Sequence, residues 1–224
     1  MASNYSVGKM VKPSCGRNCN DWLQKEIHKV TKIENELKFM LSELEFYCVA
    51  DKIKCRYSEI ICKEKLQINY YFDSPEGYLR ERGVTCRVRQ VEGALLGDIK
   101  QHHMNKDFES SETKFAVETL PQSIQYDGQL LTYQGNLITR RHSFQVASSM
   151  KIECDINYYL GWHDFEVEIE YEAGLYEVAW QAARELGLIY PHSVSKSDRF
   201  FAIKKSSEKS SILLCFPSTD GSRF

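Results

Sequence analysis

Period-two alternation of apolar and charged residues governs most of this chain between about residue 32 and residue 172. Its clearest case is Phe165 to Glu172, where Phe165, Val167, Ile169 and Tyr171 share one face of an extended strand and Glu166, Glu168, Glu170 and Glu172 share the other. Carboxylates about 7 Å apart on one strand face repel by roughly 2 kcal/mol per neighbouring pair at an effective dielectric near 20. Solvent or a divalent cation absorbs that cost. The same period places Glu34, Glu36 and Lys38 on one face of an opening strand, and Thr85, Arg87 and Arg89 on one face of Val84 to Val91. Two neighbouring arginines call for an anion or carboxylates between them.

Further strands are predicted at Leu66 to Asp73, at Leu95 to Lys100 after a turn at Gly93, at Asn136 to Val146, and at Met150 to Tyr158, where Glu153 and Asp155 share a face. Gln101 to Thr113 reads as a loop carrying His102 and His103 at the surface. Lys114 to Leu120 reads as a short strand with Glu118 facing as Lys114 does. Pro121 to Gly135 reads as turn-rich with a helical turn at Gln129 to Tyr133. Two helices interrupt the strands. One is capped by Ser42, carries Leu44, Cys48, Val49 and Ile53 on one face and ends before Lys63; the other spans Leu175 to Leu188 and stops at Gly187.

Composition narrows the picture. With 224 residues, 42% of them hydrophobic, the chain has room for one ordinary domain. A net charge of -2 gives no general attraction to nucleic acid or membranes, so any anion site must be local. No apolar run is long enough to cross a bilayer as a helix. The eight scattered cysteines read as reduced, which implies a cytoplasmic protein, and Cys15 and Cys19 lack the second pair a metal knuckle needs.

Many short alternating strands with two helices predict a mainly β, α+β fold: an antiparallel barrel with helices outside. If the charged faces point inward, the lumen holds Lys38, Arg87, Arg89, Lys100, Arg141 and Lys196 opposite Glu34, Glu36, Glu118, Asp155, Glu166 and Glu168. Such a nearly neutral interior suits a polyanion and divalent metal together better than either alone.

The ordered set Glu34-x-Glu36-x-Lys38, Tyr71-Phe72-Asp73, Arg87-x-Arg89 with Gly93 and Lys100, Thr139-x-Arg141, Tyr159-Leu160-Gly161 with Glu166-x-Glu168, and Ser195-Lys196 with Arg199 resembles the CYTH domain, the triphosphate tunnel metalloenzymes, in their small bacterial single-domain branch. The resemblance covers about residues 32–204, leaving 1–31 as an irregular N-terminal extension and 205–224 as a Ser-rich tail. It implies a closed eight-stranded antiparallel β-barrel, a tunnel that binds a small-molecule triphosphate with Mg²⁺ or Mn²⁺ and releases phosphate, acting as a monomer or homodimer. Carried over by position, Glu34, Glu36, Glu166 and Glu168 would hold metal, with Glu118 and Asp155 as additional ligands. Lys38, Arg87, Arg89, Lys100, Arg141, Lys196 and Arg199 would hold phosphate oxygens, and Glu34, Glu36, Lys38, Arg87, Arg89 and Glu168 form the catalytic set. Lys32 stands where the branch often has a further Glu. The absence of base-stacking residues from these motifs favours inorganic tripolyphosphate over ATP or thiamine triphosphate. A class IV adenylyl cyclase and a non-catalytic polyphosphate binder are the alternatives.

Overall fold

The alternating segments close into a ring. In this computed structural model, which describes residues 31–103, 108–192 and 194–215, with side chains as far as 208, nine strands form one antiparallel sheet. They are β1 (Thr31–Leu41), β2 (Lys63–Asp73), β3 (Val84–Val91), β4 (Ala94–His102), β5 (Glu109–Ala116), β6 (Ser123–Tyr126), β7 (Gln129–Ala147), β8 (Met150–Tyr159) and β9 (Trp162–Tyr171). The order β2-β3-β4-β5-β1-β9-β8-β7 is closed by pairing of β2 with β7, which makes an eight-stranded barrel, and β6 is an extra strand on the long β7 arm. Three helices flank it: α1 (Glu43–Arg56), α2 (Tyr176–Leu186) and α3 (Lys196–Cys215).

The barrel is polar inside and apolar outside on its covered walls. Leu37 and Phe39 of β1 and Val167 and Ile169 of β9 face outward and pack with Phe46, Val49 and Ile53 of α1 and Ala179, Ala183 and Leu186 of α2. This is the apolar half of the alternation, and it forms the main core. Ser42 caps α1 with a reciprocal capping box to Glu45. A second cluster, including Phe72, Leu79, Val88, Ile124 and Leu131, is completed by the β6–β7 hairpin. Gly97 lets β4 pass under Phe115, whose ring a Cβ there would meet at 2.1 Å.

Three expectations change. Residues 109–113, read as loop, belong to β5, and the strand ends at Ala116, before Glu118. Ser-rich polar strands carry little apolar signal when both neighbours line a polar lumen. The region 121–135 is a hairpin, with Gln129 to Tyr133 in β7 rather than a helical turn. Beyond Lys204 the chain is helical as far as Cys215, while residues 1–30, with Cys15 and Cys19, lie outside the described residues.

Candidate active site

The barrel encloses a cavity of about 180 Å³ lined almost wholly by polar groups. Register decides which groups meet. Lys38 lies opposite Glu168 and Glu36 opposite Glu170 across β1 and β9. Thr85 lies opposite Lys100, which in turn lies opposite Glu112 on β5. Arg141 lies opposite Asp155. The structure thus brings Glu34, Glu36, Lys38, Arg87, Arg89, Lys100, Arg141, Glu168 and Lys196 into one cavity.

Every one of these cations has a partner in the chain. Lys38 Nζ is 2.8 Å from Glu36 and 3.2 Å from Glu168; Lys100 Nζ is 2.6 Å from Glu36 and 3.3 Å from Glu34. Arg87 Nε donates to both oxygens of Asp98, at 2.8 and 2.9 Å, and its Nη2 reaches Glu112 at 3.2 Å. Arg141 pairs with Asp155, Glu153 and Glu168. Arg89 is the weakest paired, with Asn69 Oδ1 at 3.2 Å and Asp98 only at 4.0 Å. Its guanidinium is shifted below the ordinary value by burial and by the neighbouring Arg87, so an arriving anion would relieve it.

Burial alone would raise the Glu36 carboxyl, but Lys38 and Lys100 overcome it and hold it below the usual carboxylate range. Glu168 behaves alike, held down by Lys196, Lys38 and Arg141 against burial. Glu170 goes the other way. Burial and the nearby Glu153 carboxylate push it up to about 7, against the pull of Lys151 at 2.9 Å.

Two carboxylate triads share Glu168, each with oxygens within 4.8 Å of one another: Glu36, Glu168 and Glu170, and Asp155, Glu166 and Glu168. Hard carboxylate oxygens fit Mg²⁺ or Mn²⁺. The second triad already holds a cation, since Lys196 Nζ lies 3.0 Å from Asp155, 2.5 Å from Glu166 and 2.8 Å from Glu168. The first opens to the cavity.

The two ends of the tunnel differ. Around Lys32, Glu34, Lys151 and Glu170 the cavity continues into a groove along β1 and the β7–β8 turn. At the other end α3 crosses the barrel. Lys196 reaches β8 and β9, Ser197 Oγ is 2.8 Å from Thr85 Oγ1 on the opposite wall, and Phe200 packs at a tilt against Tyr71 with ring centroids 5.1 Å apart. Gly135 makes room for that helix: its φ is +138°, and a Cβ there would meet the Phe200 ring at 2.5 Å.

Several expected residues lie elsewhere. Glu118 is exposed in a bend after β5, and Glu112, buried two positions before Lys114, takes the tunnel-facing place. Arg199 does not line the cavity; it clamps Asp164 at 2.8 Å and Glu166 at 3.0 Å behind it. Asp155 and Glu166 also stand behind the Lys196 ammonium rather than in the cavity wall. Also in the cavity wall, without having been assigned a role there, are Glu170, Tyr71, Gln67 and Asn69, and His102 lines the cavity instead of the surface. Its imidazole is lowered to about 4 by burial and by Lys100 and Lys38. The signal for Glu112 and Glu170 was the same period-two alternation: each shares a strand face with a residue already assigned inward.

The sequence profile of the CYTH domain matches residues 32–201. YjbK of Bacillus subtilis (strain 168), a protein carried under the name of a candidate triphosphatase, is 25% identical over 152 residues, covering 62% of this chain and 77% of YjbK. The fold is similar to a candidate adenylate cyclase from Bacillus halodurans, with a TM-score of 0.60 at 21% identity over 76% of this chain and 98% of that one. It is also similar to HpAC1 from Hippeastrum, a candidate adenylyl cyclase described as having a dominant triphosphatase activity, with a TM-score of 0.58 at 19% identity over 78% and 96% of the two chains.

Proposed function

This chain belongs to the CYTH domain family, and on that premise we propose that it hydrolyses the terminal anhydride of a triphosphate, inorganic tripolyphosphate being the favoured substrate. One observation carries the reading: the tunnel charges are paired with each other along the lumen wall. A bare anion would have to strip carboxylates from the lysines and arginines and leave them buried and unpaired, which is costly. A triphosphate arriving with a divalent cation lets both sets exchange partners at once. A Mg²⁺ or Mn²⁺ ion held by Glu36, Glu168 and Glu170, with Glu34 at the rim, would neutralise phosphate charge and polarise the reacting phosphorus.

Lys38, Lys100, Arg87 and Arg89 then turn from carboxylates to phosphate oxygens, the arginines offering paired donors and the lysines point charges. Because α3 closes one end, a linear triphosphate enters by its end, and its terminal phosphoryl group lies nearest Lys196 and Thr85. Lys196 and Arg141 stabilise charge that grows on the bridging oxygen as the bond to phosphorus breaks. Carboxylates of the shared triads orient the attacking water. No covalent intermediate on the protein is required.

The test is phosphate release by the purified protein from tripolyphosphate, ATP and thiamine triphosphate with Mg²⁺, Mn²⁺ or EDTA. Release that needs metal and is fastest from tripolyphosphate is expected. Cyclic AMP from ATP would replace this reading by the cyclase, and tight binding without turnover of any substrate would replace it by a polyphosphate binder.

A further inference from the structure

At the closed end, four side chains form an unbroken hydrogen-bonded line from the lumen to the outer surface. Thr85 Oγ1 is 2.8 Å from Ser197 Oγ, Ser197 Oγ is 2.7 Å from Ser195 Oγ, and Ser195 Oγ is 2.7 Å from Asp198 Oδ2. Thr85, Ser195 and Ser197 line the cavity, the two serines each 6% exposed, while Asp198 is exposed to solvent.

The direction of every link is fixed by simple accounting. An ionised carboxylate only accepts, so Ser195 gives its single proton to Asp198. Ser195 Oγ also accepts the Asp198 backbone N–H at 3.1 Å. Having spent its proton, it accepts from Ser197, and Ser197 by the same rule accepts from Thr85. All donors therefore point outward, toward Asp198, and Thr85 Oγ1 is left with lone pairs for a donor in the lumen. A line built to grip phosphate would present its hydrogens to the lumen. This one presents an acceptor there, which suits a water molecule that must lose a proton.

We propose that Thr85, Ser197, Ser195 and Asp198 form a proton-exit relay that takes the proton of the attacking water from the sealed end of the tunnel to solvent. This rests on the hydrolase reading above. As the water oxygen bonds to the terminal phosphorus, the bond from phosphorus to the bridging oxygen breaks and its electron pair leaves with pyrophosphate. The water proton passes to Thr85 Oγ1, the Thr85 proton to Ser197, the Ser197 proton to Ser195 and the Ser195 proton to Asp198, which releases it to bulk water. Hydroxyl rotation then resets the line. Thr85 is thus the proton acceptor that touches the attacking water, Ser197 and Ser195 act through it, and α3 both shuts the tunnel and provides its proton outlet.

The experiment is metal-dependent tripolyphosphate turnover by the full chain, comparing the parent with Ser197→Ala, Thr85→Val and Ser197→Thr, each checked for parental melting temperature. If the parent itself shows no turnover, the hydrolase reading fails and the relay with it. With an active parent, Ser197→Ala and Thr85→Val are expected to lower kcat about 100-fold, the lower end of what a positioned proton acceptor contributes. KM should stay within about twofold of the parent, Ser197→Thr should keep parental kcat, and added imidazole buffer should restore part of the lost rate. Parental kcat in either broken-line variant overturns the relay while leaving the hydrolase intact. So does a loss that falls on KM alone, or one that Ser197→Thr shares and imidazole does not relieve.

Discussion

Two carboxylate triads meet at Glu168, and they have been put to different uses. In one, Asp155 and Glu166 are fully buried and an ammonium from α3 sits among them, with Arg199 gripping Glu166 from behind. In the other, Glu36 and Glu170 border the open lumen, and Glu170 is hard to ionise. The first triad is an anchor closed around its ammonium behind the cavity wall, whereas the second also holds a lysine, Lys38 at 2.8 Å from Glu36 and 3.2 Å from Glu168, but faces the lumen, where phosphate oxygens can draw that lysine away. Proximity of carboxylates alone does not separate the two; access to the lumen does.

The comparison is most severely tested at its shared member. Glu168→Gln is expected to lower metal-dependent phosphate release at least roughly 100-fold. It should also cost about 3 kcal/mol in urea unfolding, since Lys38, Arg141 and Lys196 each lose a buried partner. Near-parental turnover with a folded protein would remove Glu168 from the chemistry.

A smaller but sharper split should separate Glu166→Gln from Glu170→Gln. Glu166→Gln leaves Lys196 and Arg199 short of a buried partner, so it should lower stability by about 3 kcal/mol while Mn²⁺ affinity, measured calorimetrically, stays nearly unchanged. Glu170→Gln should weaken Mn²⁺ binding about 10- to 100-fold and have the opposite sign on stability. The Glu170 carboxyl stands at about 7 in the folded protein against an ordinary 4.5. Stability present below 4.5 is therefore lost as pH rises through about 7. In EDTA, Glu170→Gln should melt with the parent near pH 4.5 and above it near pH 8. Equal Mn²⁺ affinities in the two variants would erase the distinction between the triads.

The smallest effect is expected at Glu118. Exposed in its bend, it should tolerate Gln with kcat, KM and melting temperature all unchanged; a loss of activity would mean that β5 extends farther than it does here.

These residues also show what the chain reveals before folding. β1, β3 and β9 were legible because each pairs a strict alternation with strong residues on both faces: Leu37 and Phe39 against Glu36 and Lys38, for example. β5 was not, because Glu109 to Ala116 offers Phe115 as its one large apolar side chain, and its start was hidden by serines that read as loop. One missed boundary moved the inward carboxylate from Glu112 to Glu118. The family motifs named Lys38, Arg87, Arg89, Lys100, Arg141 and Lys196, which line the lumen, together with Asp155, Glu166 and Arg199, which do not; alternation says only which face a side chain takes, not what waits for it there. That Lys196 would fill the Asp155 and Glu166 triad, or that Arg199 would stand behind Glu166, depends on a helix some thirty residues later crossing the barrel end. Alternation put Thr85 on the inward face beside Arg87 and Arg89, but nothing in the sequence joined it to Ser197, which lies 112 positions away.

Closure by α3 has a consequence for the order in which the protein is made. All eight staves of the barrel precede residue 172, and β1 waits for β9 before its second edge is paired. Lys196, Ser197 and Phe200 emerge later still. Until they do, a nascent barrel has an opening at each end, and Asp155 and Glu166 lack the ammonium that offsets their burial. The working tunnel is therefore the last part to be finished, so a chain halted shortly after β9 would have its walls but neither its seal nor its neutralised anchor.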